Sequence, residues 1–556
     1  MSEHGGHEVS RRDVLIGAAG SLAAALAPGT AGAQTAPTVS GVVFEDVDRS
    51  GRRGANSPGV ANVLVSNGRE VTATDAEGRY SLPLPDEATI FIVKPAGYMP
   101  PVDPETQLPR FYRHHRPQGS PASLNLEFEG LAPTEPMPAS LDFPLYRQDE
   151  PEAFEVVLFT DPQPESEAEV DFVREDVIEA LAGTRAKFGL TAGDVMFDDL
   201  SLYDRYNKII GTIGLPWWNI GGNHDLNFEA PDRHYSRETF RRVFGPNYYA
   251  FFYAKTLFLM LDDVDYIGGH KYEGRLDVPQ LDFLRSVLAQ TPPDTLVVVV
   301  VHIPLRNYLD PADASVNLTN REALLAALGE RRFTVSFAGH THTTEHHYFR
   351  PEDGWKGPTP HHHHVLTAVS GSWWSGPLDH RGVACADSRD GTPNGFHILS
   401  IDGNAYKTRF VPAKEPNGRQ MRLSVNSHFH GGAREVMRDF RPGELLGSRI
   451  AREALGAATL VADVFDGGPK TKVIVKIGER PPIGMTRSPM PDPFVAEVFA
   501  RNEATKKPWI KAETSSHIWS VRLPHDLPPG AHRVVVEATT EYGDVVAGRL
   551  ALEVMG

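Results

Sequence analysis

The sequence predicts an α/β layer fold set between two all-β domains, and three observations predict it. From residues 38 to 146, short apolar runs such as Gly41-Val42-Val43-Phe44 and Thr89-Ile90-Phe91-Ile92-Val93 are separated by Gly, Asp, Asn and Pro turns, the pattern of β structure. From Phe154 onward, apolar strand runs alternate with segments of helical spacing, which marks an α/β layer fold. Near Arg422 strand-like alternation resumes and continues to the end of the sequence. With 556 residues the chain is too long for a single hydrophobic core. The divisions that follow are 1–33, 38–147, 151–412 and 420–556.

The first segment reads as a signal peptide. Arg11 and Arg12 precede an apolar stretch over 14–27 and the small-residue pattern Ala31-Gly32-Ala33. That stretch is shorter than the ~20 residues a membrane span requires. Ser10-Arg11-Arg12-Asp13-Val14-Leu15 resembles the twin-arginine motif that sends folded proteins to the twin-arginine export machinery. Cleavage near Ala33 and a periplasmic or extracellular location are therefore expected. The only cysteine, Cys385, excludes an intramolecular disulfide. No other run is long and apolar enough to span a membrane. A net charge of −17 argues against a nucleic-acid-binding surface, which needs a basic patch.

In the N-terminal β region, Thr74-Asp75-Ala76-Glu77-Gly78-Arg79-Tyr80 resembles the tight hairpin of small prealbumin-like or Cna-B-like sandwiches. Asp46-Val47-Asp48-Arg49-Ser50-Gly51 has the oxygen spacing of a calcium loop, but Ser57 stands where a bidentate acid belongs, so a plain polar turn stays equally open. The Pro-rich run 132–138 reads as a spacer. In the α/β region, residues 155–159, 217–220 and 295–301 read as buried strands. Residues 169–182, 279–289 and 321–328 read as helices, the first with Val170, Val173, Val177 and Leu181 on one face. Strands over 460–464, 472–476, 517–523 and 533–537 form the second sandwich, reached through a hinge-like connector at 413–419.

Five short motifs follow in order through the α/β region: Asp161-Pro162-Gln163, Gly193-Asp194, Gly222-Asn223-His224-Asp225, Val301-His302 and Gly339-His340-Thr341-His342. Most end an apolar run. Open α/β sheets gather loops at the carboxyl ends of their strands, so these residues can converge. Carboxylates and amide oxygens suit hard cations, imidazoles suit borderline ones, and a shared carboxylate can bridge two.

Together the motifs resemble those of calcineurin-like metallophosphoesterases, bacterial exported type with N- and C-terminal β domains, over roughly residues 154–411. The resemblance implies a four-layer β-sandwich flanked by helices and two divalent metal ions (Mn, Zn, Fe or Mg). It implies that Asp161, Gln163, Asp194 and His342 hold one metal, and that Asp194, Asn223, His302 and His340 hold the other. His224 takes the acid–base role, with Asp225 placed beside it among the catalytic residues; Asp225 and Asp262 are the alternatives for orienting its ring. Gln163 departs from the family, which usually has histidine there; an amide oxygen is a poorer donor for zinc or iron. Phe197 stands where purple acid phosphatases carry tyrosine, so an iron–tyrosinate centre is not expected. Two divalent cations against Asp161 and Asp194 leave about +2 to attract a phosphate ester. A metal-bridging hydroxide would attack phosphorus while His224 protonates the leaving oxygen.

Further residues invite a role. Arg306 and Asn307 follow the His302 strand and are candidate phosphate contacts. Trp373, Trp374 and Asp379 are candidate substrate contacts, or else the tryptophans pack the junction with the last domain. Asp198 and Asp199 read as a solvated turn. The run His361–His364 reads as a metal-scavenging loop, or as a solvated loop with one ring turned into the cleft. The expected activity is hydrolysis of a small-molecule or polymeric phosphate mono- or diester. The alternative is a weakly catalytic or non-catalytic envelope protein that binds a glycan or phosphopolymer. Gln163 favours that alternative; the intact Asn223, His224, His302, His340 and His342 oppose it.

Overall fold

In the strand Ala153–Phe159 successive side chains enter two different apolar environments, and this alternation sets the layers of the central domain. Val156 and Leu158 join Phe188, Leu190, Trp218 and Ile220 against Phe251 and Phe258 of a second sheet. Val157 and Phe159 instead meet Val170, Val173, Val177, Tyr206 and Ile210 of the covering helices. The computed structural model describes residues 37–413, 418–425 and 448–556. The export signal expected at 1–33 and part of the connector at 413–419 lie outside the described residues.

The first sheet runs in the order Trp217–Ile220, Phe188–Ala192, Ala153–Phe159, Gly395–Asp402, Ala405–Pro412. Its first three strands are parallel and the fourth is antiparallel to Ala153–Phe159. The second sheet runs Tyr249–Tyr253, Thr256–Met260, Leu296–Val300, Thr334–Ala338, His361–Val365, Glu345–Phe349, with its middle four strands parallel. Trp218 stacks on Phe251 at 4.3 Å between ring centroids, and Phe188 meets Phe258 edge-on at 5.2 Å, which closes the sandwich. Helices Val278–Ala289 and Arg321–Leu328 bury Leu284, Val287, Leu324 and Leu328 in the same core. The expected helix at 169–182 departs from regularity: Glu167–Phe172 is capped by the Ser166 side chain, and Val173–Ile178 widens into a π turn. Asp176 in that turn is buried and accepts from Arg381 at 2.6 Å and Asn394 at 2.8 Å.

The His361–His364 run is a strand, not a solvated loop. All four rings are buried. His361 is held by Thr334 and Ser336, and His363 by Ser336 and the Leu305 N–H, each between 2.8 and 3.1 Å. Hydroxyls on the neighbouring strand supply the partners that buried imidazoles need.

The N-terminal region is two four-stranded sheets around Val43, Leu145, Ile90 and Ile92. In its Asp46–Gly51 loop the Asp46 carboxylate accepts the Ser50 N–H at 3.1 Å and the Gly51 N–H at 2.8 Å. A buried Lys94–Glu150 pair at 2.6 Å ties this region to the central one, where Lys94 also donates to the Phe252 carbonyl. The C-terminal region has four- and five-stranded sheets around Leu460, Val475, Val534 and Trp519. It is not all β: Pro493–Arg501 is a helix, with Asp492 as its cap, Pro493 at its first turn, and Val495 and Phe499 one turn apart and buried. Among the described residues, no helix is long and apolar enough to cross a membrane.

His517 locks the C-terminal sheets to the central domain. Its Nδ1 lies 2.6 Å from Asp463 and its Nε2 2.9 Å from Asp390, all three side chains being buried. Burial alone would lower its pKa, but the flanking carboxylates raise it from 6.5 to about 10. The pair therefore contributes fully below pH 6.5, and its contribution is lost as pH rises through about 10. His517→Gln should cost about 3–5 kcal/mol at pH 6.5, as for other broken buried pairs. Thermal melts should show the gap to wild type narrowing toward pH 10; a gap that stays constant would contradict the assignment.

Candidate metal centre

The strands Ala153–Phe159, Phe188–Ala192, Trp217–Ile220, Leu296–Val300 and Thr334–Ala338 all point their carboxyl ends toward one cleft. Asp161, Asp194, Asn223, His302, His340 and His342 follow within a few residues of those ends. The turns that present them are unusually tight. Asp161, Gln163, Asp194, His340 and His342 all have positive φ, between 39° and 72°. Non-glycine residues in that region cost on the order of 1–3 kcal/mol each, and they persist where the surroundings over-determine them. The glycines of the motifs serve the same approach. A side chain at Gly222 would strike Asp194, and one at Gly339 would strike Thr160 and Asp161.

The structure brings the seven expected ligands together. Asp194, His302 and His340 place their ligand atoms within 4.8 Å of one another. Asp194 Oδ1 accepts the His224 backbone N–H at 2.9 Å, while Oδ2 accepts from Gln163 Nε2 at 2.6 Å and lies 3.2 Å from His302 Nε2. Asp161 accepts the His340 backbone N–H through both oxygens and also the Thr160 hydroxyl. His302 Nδ1 donates to the Ala192 carbonyl at 2.9 Å, His342 Nδ1 to the Gly371 carbonyl, and His340 Nε2 to the Ser315 carbonyl at 3.0 Å. Each ring thereby turns its other nitrogen toward the cluster, the usual orientation of metal-bound histidine.

The donor set fits divalent cations on direct grounds. Gln163 Oε1 and His342 Nε2 are buried and have no hydrogen-bond partner, which is costly unless something else satisfies them. His302 Nε2 faces two acceptors, Asn223 Oδ1 at 3.1 Å and Asp194 Oδ2 at 3.2 Å. Three acceptors around one point require a positive charge between them. Without metal a proton has to serve: burial would lower the His302 pKa, but Asp194 outweighs it and holds it at about 10. Burial raises Asp161 to about 7 and lowers both His340 and His342 to about 3. The orientation of Gln163 makes the substitution intelligible: its amide nitrogen is spent on Asp194, and its oxygen is left to bind a cation.

His224 stands apart from the ligands. Its ring is 23% exposed, and Nδ1 donates to Asp198 Oδ1 at 2.7 Å. Phe197 stacks on the ring at 4.4 Å. Burial works against its charge, but Asp194 and Asp198 raise its pKa above the ordinary value. Asp198, read from sequence as part of a solvated turn, is thus the residue that orients His224. Asp225 does not face the cleft. Its carboxylate takes the N–H groups of Val195, Met196 and Gly222 and the Tyr203 hydroxyl, so it braces the turns instead of acting in catalysis. Asp262 is likewise spent, on Arg237 at 2.9 Å.

The cleft encloses about 620 Å³. Trp373 lines it and stacks on His342 at 3.9 Å. Three of the other expected substrate contacts are used elsewhere. Trp374 is buried and donates to the Pro162 carbonyl at 2.7 Å. Arg306 pairs with Asp353 at 3.0 Å over the Phe349 ring, and Asp379 pairs with Arg381 at 2.8 Å. Asn307 does line the cleft. Sequence reasoning missed Arg389, whose Nε is buried without a partner, and Lys511, Glu513 and Thr514 of the C-terminal region. No local motif announces them; only the fold brings them to the cleft.

A sandwich of two sheets with a carboxylate–amide–imidazole cluster at its strand ends defines a metal-dependent phosphoesterase. A model of calcineurin-like phosphoesterases matches residues 155–344, and models of the N-terminal and C-terminal parts of such proteins match 47–131 and 363–545. The chain belongs to the calcineurin-like phosphoesterase family and carries both flanking regions. No curated protein matches it. Among solved structures, a purple acid phosphatase from yellow lupin (Lupinus luteus) seeds is similar at 12% identity and TM-score 0.36, over 65% of this chain and 68% of that one. The extracellular domain of a hybrid two-component system from B. thetaiotaomicron is similar at 11% identity and TM-score 0.14, over 34% of this chain and 20% of that one. At such low overlap neither neighbour bears on the chemistry.

Because Asp194 favours a proton on His302 when no cation is bound, metal binding must expel it. Calorimetric titration of metal-stripped protein at pH 7, in buffers of different ionisation enthalpy, should show release of about one proton per ion bound beside His302. Affinity should rise with pH up to about 10. Heats independent of buffer would contradict this reading.

Proposed function

We propose that the protein is an exported enzyme that hydrolyses phosphate mono- or diesters through a two-metal centre, with His224 as proton donor to the leaving oxygen. The Asp198–His224 pair carries the reading. It sits at the cleft beside the ligands, its pKa is raised, and Nδ1 is committed to Asp198, which leaves Nε2 for the substrate. Asp161, Gln163, Asp194 and His342 would hold one ion, and Asp194, Asn223, His302 and His340 the other. When bound, the ions supply Lewis acidity toward the phosphoryl oxygens and make water acidic enough to attack near neutral pH. Arg389 places a further positive charge on the wall, suited to non-bridging phosphate oxygens, while Lys511 beside it is paired with Glu513 at 3.0 Å. Trp373 offers a flat surface for the organic part of the ester, and Trp509 stands edge-on to it at 6.3 Å.

His224→Ala should lower kcat about 10²–10⁴-fold on an alkyl phosphate ester, whose leaving oxygen needs a proton. It should cost far less on a p-nitrophenyl ester, whose leaving group does not. Asp198→Asn removes one of the two charges that hold the His224 proton, so the alkaline limb of its kcat profile should move to lower pH. Equal losses on both esters for His224→Ala would remove the proposed role.

Export rests on the residues Ser10 to Leu15 and the small-residue site at Ala33. Cell fractionation should find the wild-type protein processed and outside the cytoplasm, and the Arg11→Lys, Arg12→Lys double variant retained inside as precursor. Equal export of both would refute the twin-arginine route.

A further inference from the structure

We infer that the protein holds a further divalent transition-metal ion, zinc by ligand type, bound by His346, His364, His397 and Asp466 where the C-terminal sheets meet the central domain. None of these side chains lines the catalytic cleft. The strand register creates the first half of the site: His346 lies directly opposite His364 in the antiparallel pair of Glu345–Phe349 with His361–Val365, so both rings stand on one face of the sheet. His397 comes from Gly395–Asp402 of the other central sheet. Asp466 comes from the turn after Thr459–Val464 in the C-terminal region. One cluster thus joins both central sheets to the last domain. The Gly467-Gly468 turn packs closely enough that a side chain at Gly468 would meet His346 Cβ at 2.8 Å.

The distances are those of metal ligands. Asp466 Oδ1 lies 3.2 Å from His346 Nε2, 3.0 Å from His364 Nε2 and 3.5 Å from His397 Nε2. Two ligands each about 2.0–2.1 Å from a tetrahedral zinc ion stand ~3.3 Å apart. The ligand atoms of His346, His364 and Asp466 all fall within 4.8 Å of one another.

The outer nitrogens have partners. His346 Nδ1 lies 2.9 Å from His362 Nε2, and His362 Nδ1 lies 2.9 Å from the Tyr406 hydroxyl. His364 Nδ1 reaches Thr408 Oγ1 at 3.4 Å. With Nδ1 protonated on these rings, the Nε2 lone pairs face inward, as in a site with an ordered outer shell. His364 Nε2 and both ring nitrogens of His397 are buried and make no hydrogen bond. Three imidazoles and one carboxylate suit a borderline divalent ion, and four protein ligands leave no open position for a substrate. The site is therefore structural: a clamp on the C-terminal region, which also supplies part of the catalytic cleft.

Full-length protein crystallised with zinc should give an anomalous difference peak at the zinc edge about 2.0–2.2 Å from the three Nε2 atoms and from Asp466. Mass-spectrometric metal analysis should find one fewer equivalent of zinc in the His364→Ala, Asp466→Ala double variant than in wild type. A map with metal at the catalytic centre and no peak among these four side chains would overturn the proposal, whether or not the variant folds. So would a folded double variant that keeps the full wild-type zinc content.

Discussion

The Asp194 carboxylate is the point on which the site is built. One oxygen fixes the turn carrying His224, and the other fixes Gln163 and faces His302, so three loops from two sheets are referenced to one side chain. That placement requires a left-handed backbone at Asp194 and no side chain at Gly222. Asp225 stiffens the same turns from behind by taking three backbone N–H groups. The strain and the buried charge are tolerated because the two packed sheets beneath hold the strand ends fixed. Catalytic geometry here follows from the sandwich, not from any flexibility of the loops.

The flanking domains are part of this arrangement. The N-terminal sheets are tied down by a buried ion pair, Lys94–Glu150, far from the cleft. The C-terminal region reaches the chemistry itself. Lys511, Glu513 and Thr514 line the cleft, Trp509 stacks on Phe197 at 6.0 Å, and Trp373 packs on the cluster formed by Val495, Phe499 and Ile510. The cleft is therefore lined by both the central and the C-terminal regions, and anything that loosens their junction alters it.

Much of this is legible in the sequence because it is local. Apolar runs ending in Asp, Asn or His directly encode strands with polar residues at their carboxyl ends, and the seven expected ligands come from the family resemblance that those motifs carry. What escapes is non-local. Asp198 looks like a surface acid until the fold puts it 2.7 Å from His224. The His361–His364 run has no apolar alternation, and its burial depends on Thr334 and Ser336 from a neighbouring strand. Asp225 sits inside a motif yet turns inward, since its neighbours' N–H groups compete for it. Arg306 finds its partner, Asp353, in a distant stretch of the chain, and the Arg381 that holds Asp379 also reaches Asp176.

The central claim is that Asp194 would be shared by two cations held by the acids, amides and imidazoles at the strand ends. Electron paramagnetic resonance of the manganese-loaded enzyme tests it most directly. An exchange-coupled spectrum that Asp194→Asn replaces with signals of isolated ions is the result predicted. A fully loaded wild-type enzyme showing only isolated, uncoupled manganese would contradict it.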